Sequence, residues 1–185
     1  MRWPFGDLRP LNYQCILADP PWSFELFSDK GSGKSAQAHY SCMSLETLAA
    51  LPVSHLAGGD CALAMWATAP MMPQAFDLLK VWGFRYITMG TWAKQSSTGD
   101  KWAFGPGYVF RTAAEFYILG KIGEPRQVSH SIRNLIVAPV RGHSVKPDTL
   151  HEHLEAMWPG PRLELFARRR RAGWDAWGDQ LPAKS

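Results

Sequence analysis

Several features are scarce or missing in this 185-residue sequence, and each absence excludes a class of protein. The three cysteines, Cys15, Cys42 and Cys61, have neither metal-ligand nor redox spacing, which favours a reducing compartment over a disulfide scaffold. No apolar run approaches the roughly 18 residues of a membrane span, and the N-terminus has no apolar signal segment. We therefore expect a soluble, cytoplasmic protein with no membrane contact.

Charge and length allow more than they exclude. Lys and Arg number 20 against 16 Asp and Glu, so the net charge of +4 permits a polyanionic partner without requiring one. The hydrophobic share of 46% and the length predict a single folded domain over residues 1–185. Nine tryptophans are many for this length, and some of them are expected to stack on bases rather than fill the core.

Short apolar runs alternate with amphipathic stretches, which predicts an α/β fold with a mostly parallel twisted sheet and helices on both faces. The helix over 73–82 should bury Phe76, Leu79, Val81 and Trp82. Polar segments at 29–38 and 95–107 interrupt this pattern. We expect both to be substrate lids that lack order without nucleic acid. Strands are predicted over 14–18, 61–67, 84–94, 112–120 and 162–167, and helices over 45–51, 73–82 and 148–158.

Asp19-Pro20-Pro21-Trp22 follows the first predicted strand, at the sheet edge where α/β proteins place ligands. The two prolines make a rigid turn with no N–H of their own to compete for its carbonyl oxygens. The Asp19 carboxylate and the Pro20 carbonyl could accept the hydrogens of an exocyclic amine, and Trp22 could stack on its base. The alternative is a strand terminator with a buried tryptophan.

The sequence around this tetrad resembles the MT-A70 family of N6-adenine methyltransferases, over about residues 13–181. The family order of motifs is a permutation of the usual methyltransferase order, and a Rossmann-like fold is implied. The matching stretches are Asp19-Pro20-Pro21-Trp22, Tyr40, Leu63-Ala64-Met65-Trp66, Trp92-Ala93-Lys94, Glu115, Ser144-Val145-Lys146-Pro147-Asp148, Glu164-Leu165-Phe166-Ala167-Arg168 and Trp177-Gly178-Asp179-Gln180.

The resemblance implies S-adenosyl-L-methionine as the methyl donor and direct transfer without a metal. Arg171 and Asp179 depart from the family, which often has Asn at both positions. By resemblance, the catalytic residues are Asp19, Pro20, Pro21 and Trp22; the cofactor-binding residues are Asp19, Lys146, Arg168, Arg171, Asp179 and Gln180; and the substrate-binding residues are Tyr40, Lys94, Glu115, Arg141 and Ser144.

The expected substrate is DNA, because the chain is compact and lacks added RNA-binding modules. RNA methylation and a non-catalytic, nucleic-acid-binding partner subunit are the alternatives. A homodimer or a partner subunit could complete the enzyme, and a bacterial or phage-infected cytoplasm is the expected location. Trp102 is the better stacking candidate and Trp66 a core residue. One or more of the arginines at 169–171 should meet solvent or phosphate.

Overall fold

The computed structural model describes residues 3–22, 42–107, 109–142 and 144–182. No helix among them is long and apolar enough to cross a membrane. The strands are β1 (Tyr13–Ala18), β2 (Ala57–Ala67), β3 (Arg85–Gln95), β4 (Ala114–Ile122), β5 (Leu135–Pro139), β6 (Arg162–Leu165) and β7 (Asp175–Trp177). The α-helices are α1 (Leu45–Ala49), α2 (Met72–Val81) and α3 (Thr149–Met157), with 3-10 turns at Val53–Leu56 and Ala69–Met71.

These strands form one sheet in the order β5-β3-β4-β2-β1-β6-β7. Strand β4 pairs antiparallel with both β2 and β3, whereas the other neighbours pair in parallel. The mostly parallel sheet with an antiparallel hairpin is therefore confirmed. Since β4 alone is reversed in the described sheet, its first residues lie at the edge where the parallel strands end.

Two apolar clusters cover opposite faces of the sheet, as alternation along β1 requires. Ile16 faces the cluster that contains Leu48 of α1 and Leu79 of α2. Leu17 faces the cluster that contains Leu150 and Leu154 of α3. Helices on both faces are thus confirmed, and each helix is held by the burial of one apolar stripe.

Helix α1 begins where its sequence predicts, because the Ser44 hydroxyl accepts the Thr47 N–H at 3.1 Å. On α2 the prediction is half right. Trp82, which follows the helix, is buried, but Phe76 and Val81 are 38% and 59% exposed. Both have the apolar character of a core residue but lie on the side of the helix turned away from the sheet.

Two strands were missed. Strand β5 is a five-residue edge strand with its outward side chains exposed, and β7 has three residues within a stretch rich in Arg and Gly. Neither is long enough for a clear alternating pattern. Segment 95–107 also differs from expectation: it folds back on itself, with β-bridges from Gln95 to Trp102 and from Gly105 to Thr112. The other predicted lid, 29–38, lies outside the described residues.

Candidate active site

Four charged side chains, Asp19, Lys146, Glu115 and Lys94, contact one another in a row at the edge where the parallel strands end, and we call this row the charge chain. Lys146 Nζ lies 3.0 Å from each oxygen of Asp19 and 3.0 Å from Glu115 Oε1. Lys94 Nζ lies 2.6 Å from the other Glu115 oxygen. The side chains of Asp19, Lys146 and Glu115 are 19%, 14% and 9% exposed. Two ammonium groups and two carboxylates therefore alternate along the sheet edge, largely shielded from solvent.

The sheet builds this chain from distant parts of the sequence. Asp19 directly follows β1, Lys94 is the penultimate residue of β3, and Glu115 is the second residue of the reversed strand β4. Lys146 comes from the segment between β5 and α3, in which Ser144 adopts a left-handed backbone conformation (φ 57°). Because all four positions reach the same sheet edge, their side chains meet.

The electrostatics of Asp19 and Glu115 differ. Burial raises the pKa of Asp19, and the Lys146 ammonium opposes that effect. Burial also acts on Glu115, but Lys146 and Lys94 together outweigh it and hold its pKa below the usual value. Burial acts to lower the pKa of Lys146, but the neighbouring carboxylates Asp19 and Glu115 outweigh it and raise that pKa, so the lysine stays charged.

A pocket of about 200 Å³ opens beside Asp19. Its wall combines two carboxylates, a guanidinium and an amide with aromatic and apolar surface. The lining residues are Asp19, Pro21, Met43, Phe166, Arg168, Trp177, Asp179 and Gln180. The structure therefore brings together four of the predicted cofactor residues, and Lys146 joins them through Asp19.

The far wall of the pocket depends on two backbone features. Phe166 directly follows β6 and has a left-handed backbone conformation (φ 62°), which turns the chain toward Arg168. Gly178 packs against that turn, and a Cβ built on it would lie 2.7 Å from the Ala167 nitrogen. Only glycine fits there without a shift, so the turn and the Asp179–Gln180 pair are fixed to each other.

The tetrad differs from expectation in its hydrogen bonding. The Pro20 carbonyl accepts the Trp22 N–H at 2.8 Å, and the Pro21 carbonyl accepts the Met43 N–H at 3.0 Å. Donors from neighbouring residues thus compete for oxygens that were expected to be free. A carbonyl oxygen has two lone pairs, so Pro20 can still accept one further hydrogen bond.

Trp22 is also buried more deeply than a stacking role requires. The residue is 5% exposed, and its indole N–H donates to the Trp66 carbonyl at 3.2 Å. Little of its face is open to a base, so the alternative of a buried tryptophan describes it better. Trp66 is buried, as predicted, and Trp102 is 64% exposed. The stacking role of Trp102 stays a prediction.

Other predicted site residues lie apart from the pocket. Arg171 was expected to contact the cofactor, but its guanidinium donates to both carboxylate oxygens of Glu155, at 2.6 and 3.0 Å. That pairing turns it toward α3, and Arg171 does not line the described pocket, so its contact with the cofactor stays a prediction. Arg141 pairs with Asp148 at 2.8 Å, and Ser144 is exposed. Tyr40 lies outside the described residues.

Three lining residues were not predicted as site residues. Phe166 and Trp177 belong to motifs already identified in the sequence. Phe166 directly follows the last residue of β6, so its place in the sequence could have indicated that it lies at the carboxyl edge of the sheet. Met43 forms a bridge with Trp22 across a long sequence gap, and no local pattern indicates that contact.

A larger open groove, of about 710 Å³, lies between the N-terminal segment and β7. Phe5, Arg9 and Trp174 are among its lining residues, but no residue of the Asp-Pro-Pro-Trp tetrad and no member of the charge chain takes part. The smaller pocket is therefore the candidate active site.

The sheet is mostly parallel with helices on both faces, and Asp19 and Pro21 of the Asp-Pro-Pro-Trp tetrad line a pocket at its carboxyl edge. Together these features define the class: an α/β methyltransferase. The family model of MT-A70 matches residues 13–180, and the chain belongs to the MT-A70 family. The order of the sequence motifs, the fold and the pocket are therefore all consistent with membership of this family.

The relatives are methyltransferases by name. The chain is 33% identical to the type II methyltransferase M.MunI of a Mycoplasma species, over 96% of this chain and 82% of that protein. It is 29% identical to the N(6)-adenosine-methyltransferase MT-A70-like protein of Drosophila melanogaster, over 97% and 30%. It is 27% identical to the human N(6)-adenine-specific methyltransferase METTL4, over 92% and 39%. The chain thus spans less than half of these two eukaryotic relatives.

Proposed function

We propose that this chain transfers a methyl group from S-adenosyl-L-methionine to the N6 amino group of adenine in nucleic acid, with DNA as the preferred polymer. The position of Asp19 carries the proposal. It is the one residue that belongs to the tetrad, lines the pocket and joins the described charge chain. Family membership supports the same reaction, since relatives carry the names N(6)-adenosine-methyltransferase and N(6)-adenine-specific methyltransferase.

The residues of the pocket fit this cofactor. Carboxylates suit its ammonium group and ribose hydroxyls, Gln180 can donate and accept, and Phe166 and Trp177 offer apolar surface. The volume of about 200 Å³ is below the range of about 300–1,000 Å³ usual for ligand pockets, so the described walls enclose part of the molecule. When bound, the cofactor supplies a methyl group on a positively charged sulfur.

Asp19 would act as the acceptor for the amine. Its carboxylate accepts a hydrogen bond from one N6–H, and the second lone pair of the Pro20 carbonyl accepts one from the other, which stabilises the positive charge that develops on nitrogen. The N–CH3 bond forms as the S–CH3 bond breaks, and the surplus N6 proton then leaves to solvent. In this structure Lys146 occupies both oxygens of Asp19. Lys146 would turn toward the methionine carboxylate of the bound cofactor, which leaves an Asp19 oxygen for the amine.

Glu115 and Lys94 would hold Lys146 and line the route of the base. The Glu115 carboxylate keeps Lys146 charged, and Lys94 in turn keeps Glu115 ionised. Arg168, Asp179 and Gln180 would hold the adenosine part of the cofactor. In a duplex the target base must leave the stack, which costs a few kcal/mol and favours single-stranded or distorted substrates.

DNA is preferred over RNA because the bacterial relative is matched over 82% of its length, whereas the eukaryotic proteins carry large additional regions. A non-catalytic partner subunit is disfavoured because the tetrad and the charge chain are intact. Residues 1–185 would act as one methyltransferase domain in a bacterial or phage-infected cytoplasm, where its DNA lies. A second copy or a partner subunit would show as excess mass in light scattering.

The test is transfer of tritiated methyl groups to matched DNA and RNA oligonucleotides, single and double stranded. We expect counts on adenine-containing DNA and none on the same oligonucleotides with N6-dimethyladenine. Greater methyl transfer to RNA than to DNA would show that RNA is the preferred substrate. No transfer to either polymer by a protein that binds S-adenosyl-L-methionine would disprove the proposed reaction.

A further inference from the structure

Asp148 gathers arginines from two separate loops at the start of α3. Arg141 Nη1 lies 2.8 Å from Asp148 Oδ2, and Arg169 bonds to Oδ1 of the same carboxylate. The side chains of Arg141 and Arg169 are 48% and 56% exposed. Two half-exposed guanidinium groups are therefore held against one anion.

The carboxylate of Asp148 serves these arginines rather than its own helix. Asp148 is the N-cap residue of α3, yet its side chain makes no capping hydrogen bond. An aspartate at this position usually accepts a backbone N–H of the first turn. Its oxygens instead face Arg141 and Arg169, which fixes the two guanidinium groups.

Stability does not account for this arrangement. Exposed arginine–carboxylate pairs stabilise a fold little, and here the charges do not balance. Arg171 lies 3.7 Å from Asp148 but is already satisfied by Glu155. Arg141 and Arg169 thus keep a surplus of positive charge that faces solvent.

The pair also lies beside the candidate active site. Asp148 is two residues after Lys146, which bonds to Asp19, and Arg169 follows Arg168 of the pocket wall. A nucleic-acid strand that delivers adenine to Asp19 would pass this surface.

We propose that Arg141 and Arg169 form a clamp for one backbone phosphate of the nucleic-acid strand that carries the target adenine. The clamp rests on the proposed function and adds the residues that hold the strand. Each guanidinium group has five N–H donors and uses one in its bond to Asp148, so both can also bind the oxygens of one phosphate. Both guanidinium groups already contact a single carboxylate, so their spacing suits one phosphate.

The experiment compares Arg141→Ala, Arg169→Ala and the double variant with the wild-type protein. A fluorescein-labelled single-stranded DNA oligonucleotide is titrated by anisotropy over a series of salt concentrations. The double variant loses the one clamped phosphate, so its slope of log affinity against log salt should fall by about 0.7, and each single variant should show a smaller fall. Calorimetry should show unchanged binding of S-adenosyl-L-methionine in all variants, because neither side chain lines the pocket.

Arg85→Ala is the matched control. Arg85 is also an exposed arginine, 67% accessible, and pairs with Glu124 at 3.2 Å, but it lies at the start of β3, the opposite sheet edge. It removes the same charge far from the site and should leave the salt slope unchanged. Circular dichroism melts show whether each variant is folded.

The outcomes separate the clamp from the proposed function. A wild-type protein that methylates DNA, with an unchanged slope in the double variant, overturns the clamp alone. An equal loss of slope in Arg85→Ala overturns it too, since net charge would then explain the effect. A wild-type protein that neither binds nor methylates the oligonucleotide overturns both.

Discussion

Asp19 meets two opposing demands at the scale of single residues. Burial raises its pKa, but the proposed reaction needs the ionised carboxylate to accept an amine hydrogen. Lys146 resolves this conflict with an ammonium group 3.0 Å from each oxygen. The proposed function gives the two residues different roles, so replacing Asp19 should mainly affect methyl transfer, whereas replacing Lys146 should mainly affect cofactor affinity.

Removal of the Asp19 charge should remove one limb of the pH profile. Burial raises the pKa of Asp19, so kcat/KM of the wild-type protein should fall on acidification at a higher pH than for an exposed aspartate. Asp19→Asn should lose most of its activity, and its residual rate should lack this acidic limb. Methyl-transfer rates measured across pH check both statements, and an identical limb in the variant would contradict them.

Loss of Lys146 should act mainly on the cofactor. Lys146→Ala removes a charged hydrogen bond worth about 1.5–3 kcal/mol, so affinity for S-adenosyl-L-methionine should drop about tenfold to hundredfold. Isothermal calorimetry measures this drop. Lys121→Ala is the control, because Lys121 pairs with Glu124 at the far end of β4. Equal cofactor affinity in Lys146→Ala and the wild-type protein would exclude the proposed contact.

At the scale of elements, the ends of the strands decide what the site contains. Strand β6 ends at Leu165 because Phe166 turns left-handed, and β7 ends at Trp177 before Gly178 packs on that turn. The predicted strand over 162–167 was two residues too long for this reason. Alternation alone cannot show where backbone packing stops a strand.

Gly178→Ala should therefore distort the pocket without touching a ligand. Its Cβ would lie 2.7 Å from the Ala167 nitrogen, so the turn that carries Arg168 and the Asp179–Gln180 pair must separate. Cofactor affinity measured by calorimetry should fall at least tenfold, while the sheet stays folded. In the control, Gly142→Ala, the new Cβ meets Val145 at an ordinary 3.4 Å, and affinity should not change. Two variants with equal affinity would show that the turn tolerates the shift.

At the scale of the whole molecule, Glu155 connects α3 with the loop after β6. It accepts hydrogen bonds from Arg171 and from the Trp174 indole at 2.7 Å. The Arg171 bond is the main reason that the pKa of Glu155 falls to about 2. A lowered pKa means that the contribution to stability is present above the unfolded value of 4.5 and is lost as pH falls toward 2.

Glu155→Gln should consequently be less stable than the wild-type protein at neutral pH. The difference between their urea midpoints should shrink as pH falls from about 4.5 toward 2, because the wild-type carboxylate then loses its charge. The effect should be modest, since the pair is partly exposed and screened by solvent. Glu46→Gln on α1 is the control. A difference that does not depend on pH would argue against an ionic role.

Local patterns determined much of this protein. Strand β1 and the tetrad behind it, the Ser44 cap of α1, and the α/β class all follow from short-range periodicity and from turn chemistry, which act within a few residues. The family motifs also named most of the pocket wall. These features can be predicted from the sequence because each depends on residues that are close together along the chain.

The tertiary structure alone decided the partners of the charged groups. The Lys146–Asp19 contact spans 127 positions, and Arg171 lies with Glu155 rather than in the pocket. The bond from Met43 to the Pro21 carbonyl and the burial of Trp22 beside Trp66 likewise depend on residues that are distant in the sequence. An ion pair or a hydrogen bond depends on which elements lie side by side, and sheet order sets that, because it brings distant strand ends to one edge.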